Sequence, residues 1–552
     1  GGTLIHPGGT MYISDSVATG PALIVYANTK IVTESGGVWK FKNTSGSSSG
    51  GAGHVGLSVV GNNAQVVGGT FTQEDDPDGG SYSTVDDISP LYITGDDVLI
   101  QDLTVTNVGG YAIQTRHNDN VRITGCKVSD VNRFGIYIEG HASDSAHYAN
   151  DIWIENCYIE DCGSSHSGIS YNTGCYRGGV VNTHVKDCKI GIEVHGQGGK
   201  ECEGVVLTGN TLENCEQFGI SLSNAPGATV SGGYVDCQYN ANSTGIEITD
   251  GSNHVSVTGV VIKNFGIETG TSSGNGIVCV GVNRVSLSAL NIYCDGTGSP
   301  AGTPGAGIHV ESQNPGNTPP DTSEQITIQG CQFWNAATSG NGYMDNAIEV
   351  HVSSGNEGQY TIANNTIKNM IGAGIYTYGM SNLTVDGNTV HSCGSHGIHN
   401  AYVYYSSVSD NVLWDNSGSG YYQSTDGGQP KGYNVISGNR CHNNGDAGIT
   451  IRQGDKTTVT GNLCTDNGTN ADSDTSFGIQ VGLVGGQTAS YTYIHGNSCY
   501  DAGGATQTYG VAIKHSGAVS TRVHWNYLVG NVTGTHVNNG ASSTISDNIL
   551  TA

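Results

Sequence analysis

One dipeptide recurs along this chain and limits what it can fold into. Gly-Ile stands at Gly135-Ile136, Gly168-Ile169, Gly191-Ile192, Gly219-Ile220, Gly245-Ile246, Gly276-Ile277, Gly307-Ile308, Gly374-Ile375, Gly397-Ile398, Gly448-Ile449 and Gly478-Ile479. Ala112-Ile113, Ala347-Ile348 and Gly510-Val511 are variants of it. A second mark ends in Asn, as in Gly209-Asn210, Asn364-Asn365, Gly387-Asn388, Asp410-Asn411, Gly438-Asn439, Gly461-Asn462 and Gly496-Asn497. Two residues after each Asn comes an apolar residue: Leu212, Ile367, Val390, Leu413, Cys441, Cys464, Cys499. The period is roughly 22 to 35 residues, the range of solenoid repeats.

Short alternating runs of about four to six residues argue strands rather than helices. A residue type that returns at one place in every unit argues stacked coils. Strands stacked ~4.8 Å apart place identical side chains in ladders. An Asn ladder would satisfy turn backbone groups, and an Ile/Val/Leu ladder would fill the interior. The 86 glycines suit corners that need positive φ. A leucine-rich repeat needs a regular Leu frame and a propeller needs ~40-residue blades, and neither pattern is present. The fold class expected is all-β, a single right-handed parallel β-helix solenoid of roughly 16 coils.

A solenoid core grows lengthwise, so 552 residues do not require several domains. Residues 1–50 are expected to form N-terminal capping turns and 51–552 the helix. Uneven loops at 141–150, 295–306, 312–325, 335–346, 423–432, 466–476 and 483–490 are expected to wall a binding face.

A net charge of −27 argues against nucleic acid, which needs a basic surface. No stretch of ~20 apolar residues points to membrane insertion. The start at Gly1 fits a mature or trimmed product. The 15 cysteines cannot all pair internally. Cys162, Cys188, Cys215 and Cys393 share one ladder position, and Cys441, Cys464 and Cys499 share another. They read as small buried hydrophobes, with disulfides between neighbouring coils as the alternative.

The first and third residues after each Gly-Ile are expected to point outward. Two clusters result. The first holds Arg116, Tyr137, Glu139, His141, Glu193 and His195. Its residue types suit abstraction of a uronate C5 proton, with Arg116 neutralising the carboxylate and Tyr137 or a His as acid and base. The second holds His309, Glu311, Glu349, His351, Tyr376, Tyr378 and His399. Glu311 and Glu349 suit a two-carboxylate hydrolysis with aromatic rings for sugar stacking. In each case the alternative is a plain solvated ladder. Asp75, Asp76 and Asp78, in an acidic loop, are candidate calcium ligands, the alternative being a solvated acidic loop. No other cofactor is required.

The coil pattern resembles the pectate-lyase-like right-handed parallel β-helices, among them polysaccharide lyases, mannuronan C5-epimerases and phage tailspikes. The resemblance covers nearly the whole chain and specifies fold more than activity. Glu139-Gly140-His141 is similar to the Asp-Pro-His motif of the epimerases, with Glu for Asp and Gly for Pro. The resemblance implies an extracellular or cell- or virion-surface protein whose partner is a polysaccharide. The leading expectation is a lyase or epimerase acting on an acidic polymer. The alternatives are a tailspike-like depolymerase or receptor binder, homotrimeric on that reading, and a non-catalytic surface or filament protein.

Overall fold

The computed structural model describes residues 2–14, 21, 23–42, 55–73, 89–140, 148–163, 166–197, 199–240, 242–266, 274–296, 305–312, 323–337, 343–352, 358–425, 432–470, 475–482, 489–504 and 506–550. His141, Asp75, Asp76 and Asp78 lie outside them, as do the central parts of the seven long loops. Every regular element among the described residues is a β-strand. No helix there is long and apolar enough to cross a membrane. The chain divides into two compact units, Gly1–Val261 and Ile262–Ala552.

In each unit the chain winds through three parallel sheets in turn. One coil of the first unit runs Arg122–Thr124, Lys127–Val131 and Ile136–Glu139. One coil of the second runs Leu383–Asp386, Thr389–His391 and Ile398–Ala401. The Gly-Ile isoleucines head the third sheet. Ile113, Ile136, Ile169, Ile192, Ile220 and Ile246 stand in one register column of the first unit. Ile308, Ile348, Ile375 and Ile398 do so in the second. The residues after each turn Asn stack as expected: Ile367, Val390, Leu413, Cys441, Cys464 and Cys499 form one column. All six are buried. The core of each unit is therefore a stack of like side chains, its apolar area removed from water coil by coil.

The Asn marks have a double function. The residue before each Asn adopts left-handed backbone, with φ of 64° at Gly387, 54° at Asp410 and 68° at Gly438. Gly, Asp and Asn tolerate that region best. The buried Asn then bridges coils. Asn388 accepts at Oδ1 from the Asn365 backbone N–H at 3.0 Å, and its Nδ2 donates to the Ile362 carbonyl at 2.9 Å and to Asn411 Oδ1 at 2.9 Å. The same pattern continues through Asn411, Asn439, Asn462, Asn497 and Asn526. A second amide ladder, through Asn416, Asn444 and Asn467, turns the chain from the second sheet to the third.

The opener glycines differ from expectation in cause. Gly374 and Gly397 are absent from the left-handed region. Close approach requires them instead. A Cβ on Gly374 would overlap Val390 Cγ1 and stand 2.8 Å from the Gly397 carbonyl oxygen of the next coil. All 15 cysteines are buried free thiols, which agrees with their reading as small hydrophobes. A Cβ on Gly135 or Gly191 would meet the sulfur of Cys162 or Cys215 at 2.9 and 3.0 Å, so these thiols fill the space the glycines leave.

Candidate functional site

The third sheet displays both sequence-predicted clusters, one in each unit. Its strands alternate, as Ile375–Tyr378 illustrates: Ile375 and Thr377 are buried, and Tyr376 and Tyr378 face outward. Beneath the outward residues of the second unit runs a buried polar chain. Thr377 Oγ1 donates to Asn400 Oδ1 at 2.8 Å, and Gln423 Nε2 donates to the Gln453 carbonyl at 3.0 Å. Buried polar groups so satisfied rigidify the strands that carry the face.

In the first unit, register places Arg116 beside Glu139, then Asn172, then His195. Tyr137, Ser170 and Glu193 form the parallel column. Arg116 Nε lies 3.2 Å from Glu139 Oε2. Tyr137 packs against the stacked rings of Tyr111 and Phe134, with ring centroids 5.0 and 4.9 Å away. Burial, then Glu139, pushes its hydroxyl well above the usual phenol range. Ser167 and Ser170 hydroxyls donate to Glu193 Oε2 at 2.8 and 3.1 Å. Arg116 and Glu139 are thus brought together. His195 stands three rungs from Arg116, ~14 Å along the stack.

In the second unit, His309 is opposite Glu349 and Glu311 is opposite His351. The two acids and two imidazoles therefore cross. On each strand a carboxylate neighbours an imidazole: His309 Nε2 to Glu311 Oε2 is 3.7 Å, and His351 Nε2 to Glu349 Oε1 is 3.2 Å. The next coil adds Tyr376 and Tyr378, whose rings lie 5.3 and 5.7 Å from that of His351. His399 follows, 5.0 Å from Tyr376, with Nε2 2.9 Å from Ser424 Oγ.

Four participants were missed by counting only from the Gly-Ile mark. Asp345 and Asn346 precede Ala347-Ile348, and His396 precedes Gly397-Ile398. Tyr422 follows Gly420-Tyr421, where the isoleucine is replaced. Asn346 is the important one. Its Oδ1 accepts from the Ala373 N–H at 2.8 Å, which fixes the amide so that Nδ2 faces two acids. Nδ2 donates to Glu349 Oε2 at 2.9 Å and to Asp345 Oδ2 at 3.3 Å. Burial, and then the Glu349 charge, pushes the Asp345 carboxyl above its ordinary range. His396 stacks on Tyr422 at 4.2 Å. Burial depresses His396 to about 3 and His399 to about 4, so both are neutral rings at neutral pH. Among the described residues no group of three or more His, Cys, Asp or Glu is placed to hold a metal ion.

Parallel coils bearing an outward row of acids, imidazoles and tyrosines define a β-solenoid with a polar-aromatic face. The right handed beta helix region family matches residues 89–262, 320–483 and 427–550, and the chain belongs to that family. Among solved structures, the chain is similar to the Dettilon tailspike protein (gp208) at 14% identity and TM-score 0.37, covering 70% of this chain and 62% of that one. Bacteriophage CBA120 tailspike protein 3 aligns at 12% identity and TM-score 0.43, covering 69% and 53%. The N-terminal fragment of bacteriophage Phi29 gene product 12 aligns at 13% identity and TM-score 0.46, covering 97% and 86%. The match spans less than two thirds of the length of the first two tailspikes. At these scores the likeness bears on neither substrate nor activity. No curated protein matches the sequence.

Proposed function

We propose that the third-sheet face of the second unit binds a polysaccharide and hydrolyses its glycosidic bonds. The observation that carries this reading is the pair Asp345 and Glu349, joined through one amide of Asn346. Two neighbouring carboxyls, one of them pushed toward its protonated form, are what acid–base hydrolysis requires. Asp345, pushed up by burial and by Glu349, is the proton donor. It protonates the glycosidic oxygen as the bond from that oxygen to the anomeric carbon breaks. Glu349 takes the proton of the attacking water, whose oxygen bonds to the same carbon. Glu311 and His309 bind sugar hydroxyls one coil away, and Tyr376, Tyr378 and His399 supply ring faces for stacking. A protein of this kind acts where polysaccharide is presented, at an extracellular or virion surface.

Lyase or epimerase chemistry at Arg116 is the less favoured reading for a physical reason. Glu139 already sits 3.2 Å from the guanidinium, so a uronate carboxylate would have to displace it or meet its charge. A polysaccharide panel, assayed for both reducing ends and unsaturated products, tests the proposal. Reducing ends without new ultraviolet absorbance are expected. Unsaturated products would transfer the chemistry to the first unit, and the absence of both signals would leave a binding role.

A further inference from the structure

The second sheet of the second unit carries a different outward column, unrelated to the acids above. Register aligns Tyr293, Trp334, Lys368, His391, Trp414 and His442. Tyr293 stacks on Trp334 at 4.4 Å, and His391 stacks on one face of Trp414 at 4.1 Å with 10° between the planes. The stacking then stops. His442 turns toward the following coil, where its Nδ1 lies 3.0 Å from Thr465 Oγ1 and 3.6 Å from Asp466 Oδ2. A hollow of about 370 Å³ opens in its place, lined by Trp414, Arg440, Val412, Leu463 and the turned His442.

Arg440 stands out in this hollow. The chain has 20 basic against 47 acidic residues, and three of its eight arginines lie against acids: Arg116 with Glu139, Arg122 with Glu155, Arg177 with Asp151. Arg440 is exposed and has no ion pair among the described residues. A planar guanidinium beside a tryptophan face left open, with Val412 and Leu463 flanking both, matches one ligand chemistry. The ring C–H face of a pyranose stacks on the indole, and its carboxylate takes the guanidinium fork. A volume of this size holds a sugar residue or two.

We infer that Trp414 and Arg440 form a binding subsite for an acidic sugar residue, on a different sheet from the proposed hydrolytic face and independent of it. The test is calorimetric titration of the full chain with trigalacturonate at low salt, with maltotriose as the uncharged control. The expected result is trigalacturonate binding that weakens with salt and exceeds maltotriose binding. Arg440→Gln should weaken it roughly tenfold, the size of a lost charge-assisted hydrogen bond. Trp414→Ala should weaken both sugars, with an unchanged melting temperature showing that the variant is folded. Arg440 is exposed, so its variant keeps the test decisive if Trp414→Ala fails to fold. Arg522→Gln, which removes an exposed arginine on another sheet, should leave trigalacturonate affinity unaltered. Absence of binding, equal affinity in Arg440→Gln, or an equal loss of affinity in Arg522→Gln would overturn the assignment.

Discussion

The Glu349 carboxylate lies 3.2 Å from His351 Nε2 on one side and accepts from Asn346 Nδ2 at 2.9 Å on the other. Asn346 also reaches Asp345, and its own orientation is set by the Ala373 N–H. One backbone amide on the next coil thus determines how two acids face each other. Such support from behind is what holds reacting groups at a working geometry.

The Asn ladder is the first element open to measurement. Asn388 satisfies the Asn365 N–H and the Ile362 carbonyl of the preceding coil and is fully buried. Asn388→Ala leaves those groups unpaired and should cost about 1–3 kcal/mol in chemical denaturation. A change near zero would mean that the ladder is ornamental.

The interior column gives a second. Leu413 is fully buried between Val390 and Cys441. Leu413→Ala should cost about 2–5 kcal/mol by lost burial and the cavity left behind. Val412→Ala, on the outward side of the same strand, should cost far less.

Acid should unfold the second unit through its buried imidazoles. His396 and His399 are depressed from 6.5 to about 3 and about 4 by burial. Between pH 6.5 and 4 the unfolded chain therefore binds protons that the folded chain does not. Stability is full above pH 6.5 and falls as pH drops through that window. Thermal melting followed from pH 7 to pH 4 should decline, and a His396→Phe/His399→Phe double variant should decline less steeply. Parallel slopes would assign the acid sensitivity elsewhere.

Much of the architecture is legible in the sequence because a solenoid repeats its constraints. Val390, Leu413 and Cys464 could be placed in one column from their distance to the preceding Asn alone. The second ladder went unread, although Asn411 and Asn416, Asn439 and Asn444, and Asn462 and Asn467 share one spacing. The crossing of Glu311 and Glu349 also follows from strand alternation. The amide bridge does not. Asn346 and Asp345 sit in a turn before the strand, where no alternation rule says which way a side chain points. The pairing of Arg116 with Glu139 was likewise open, because register places them adjacent but only packing decides whether they engage each other or a ligand. The turned His442 has no sequence signature, for its column neighbours His391 and Trp414 stack.

The most direct test of the central claim is the rate of reducing-end release on a polymer the protein degrades, compared between the native chain, Glu349→Gln and Arg116→Ala. The hydrolytic reading predicts that Glu349→Gln loses ~10²-fold or more, the size of a general acid–base contribution. It also predicts that Arg116→Ala stays within about twofold of the native rate, no transition-state interaction being removed. Full activity in Glu349→Gln with a large loss in Arg116→Ala would contradict it and return the chemistry to the first unit.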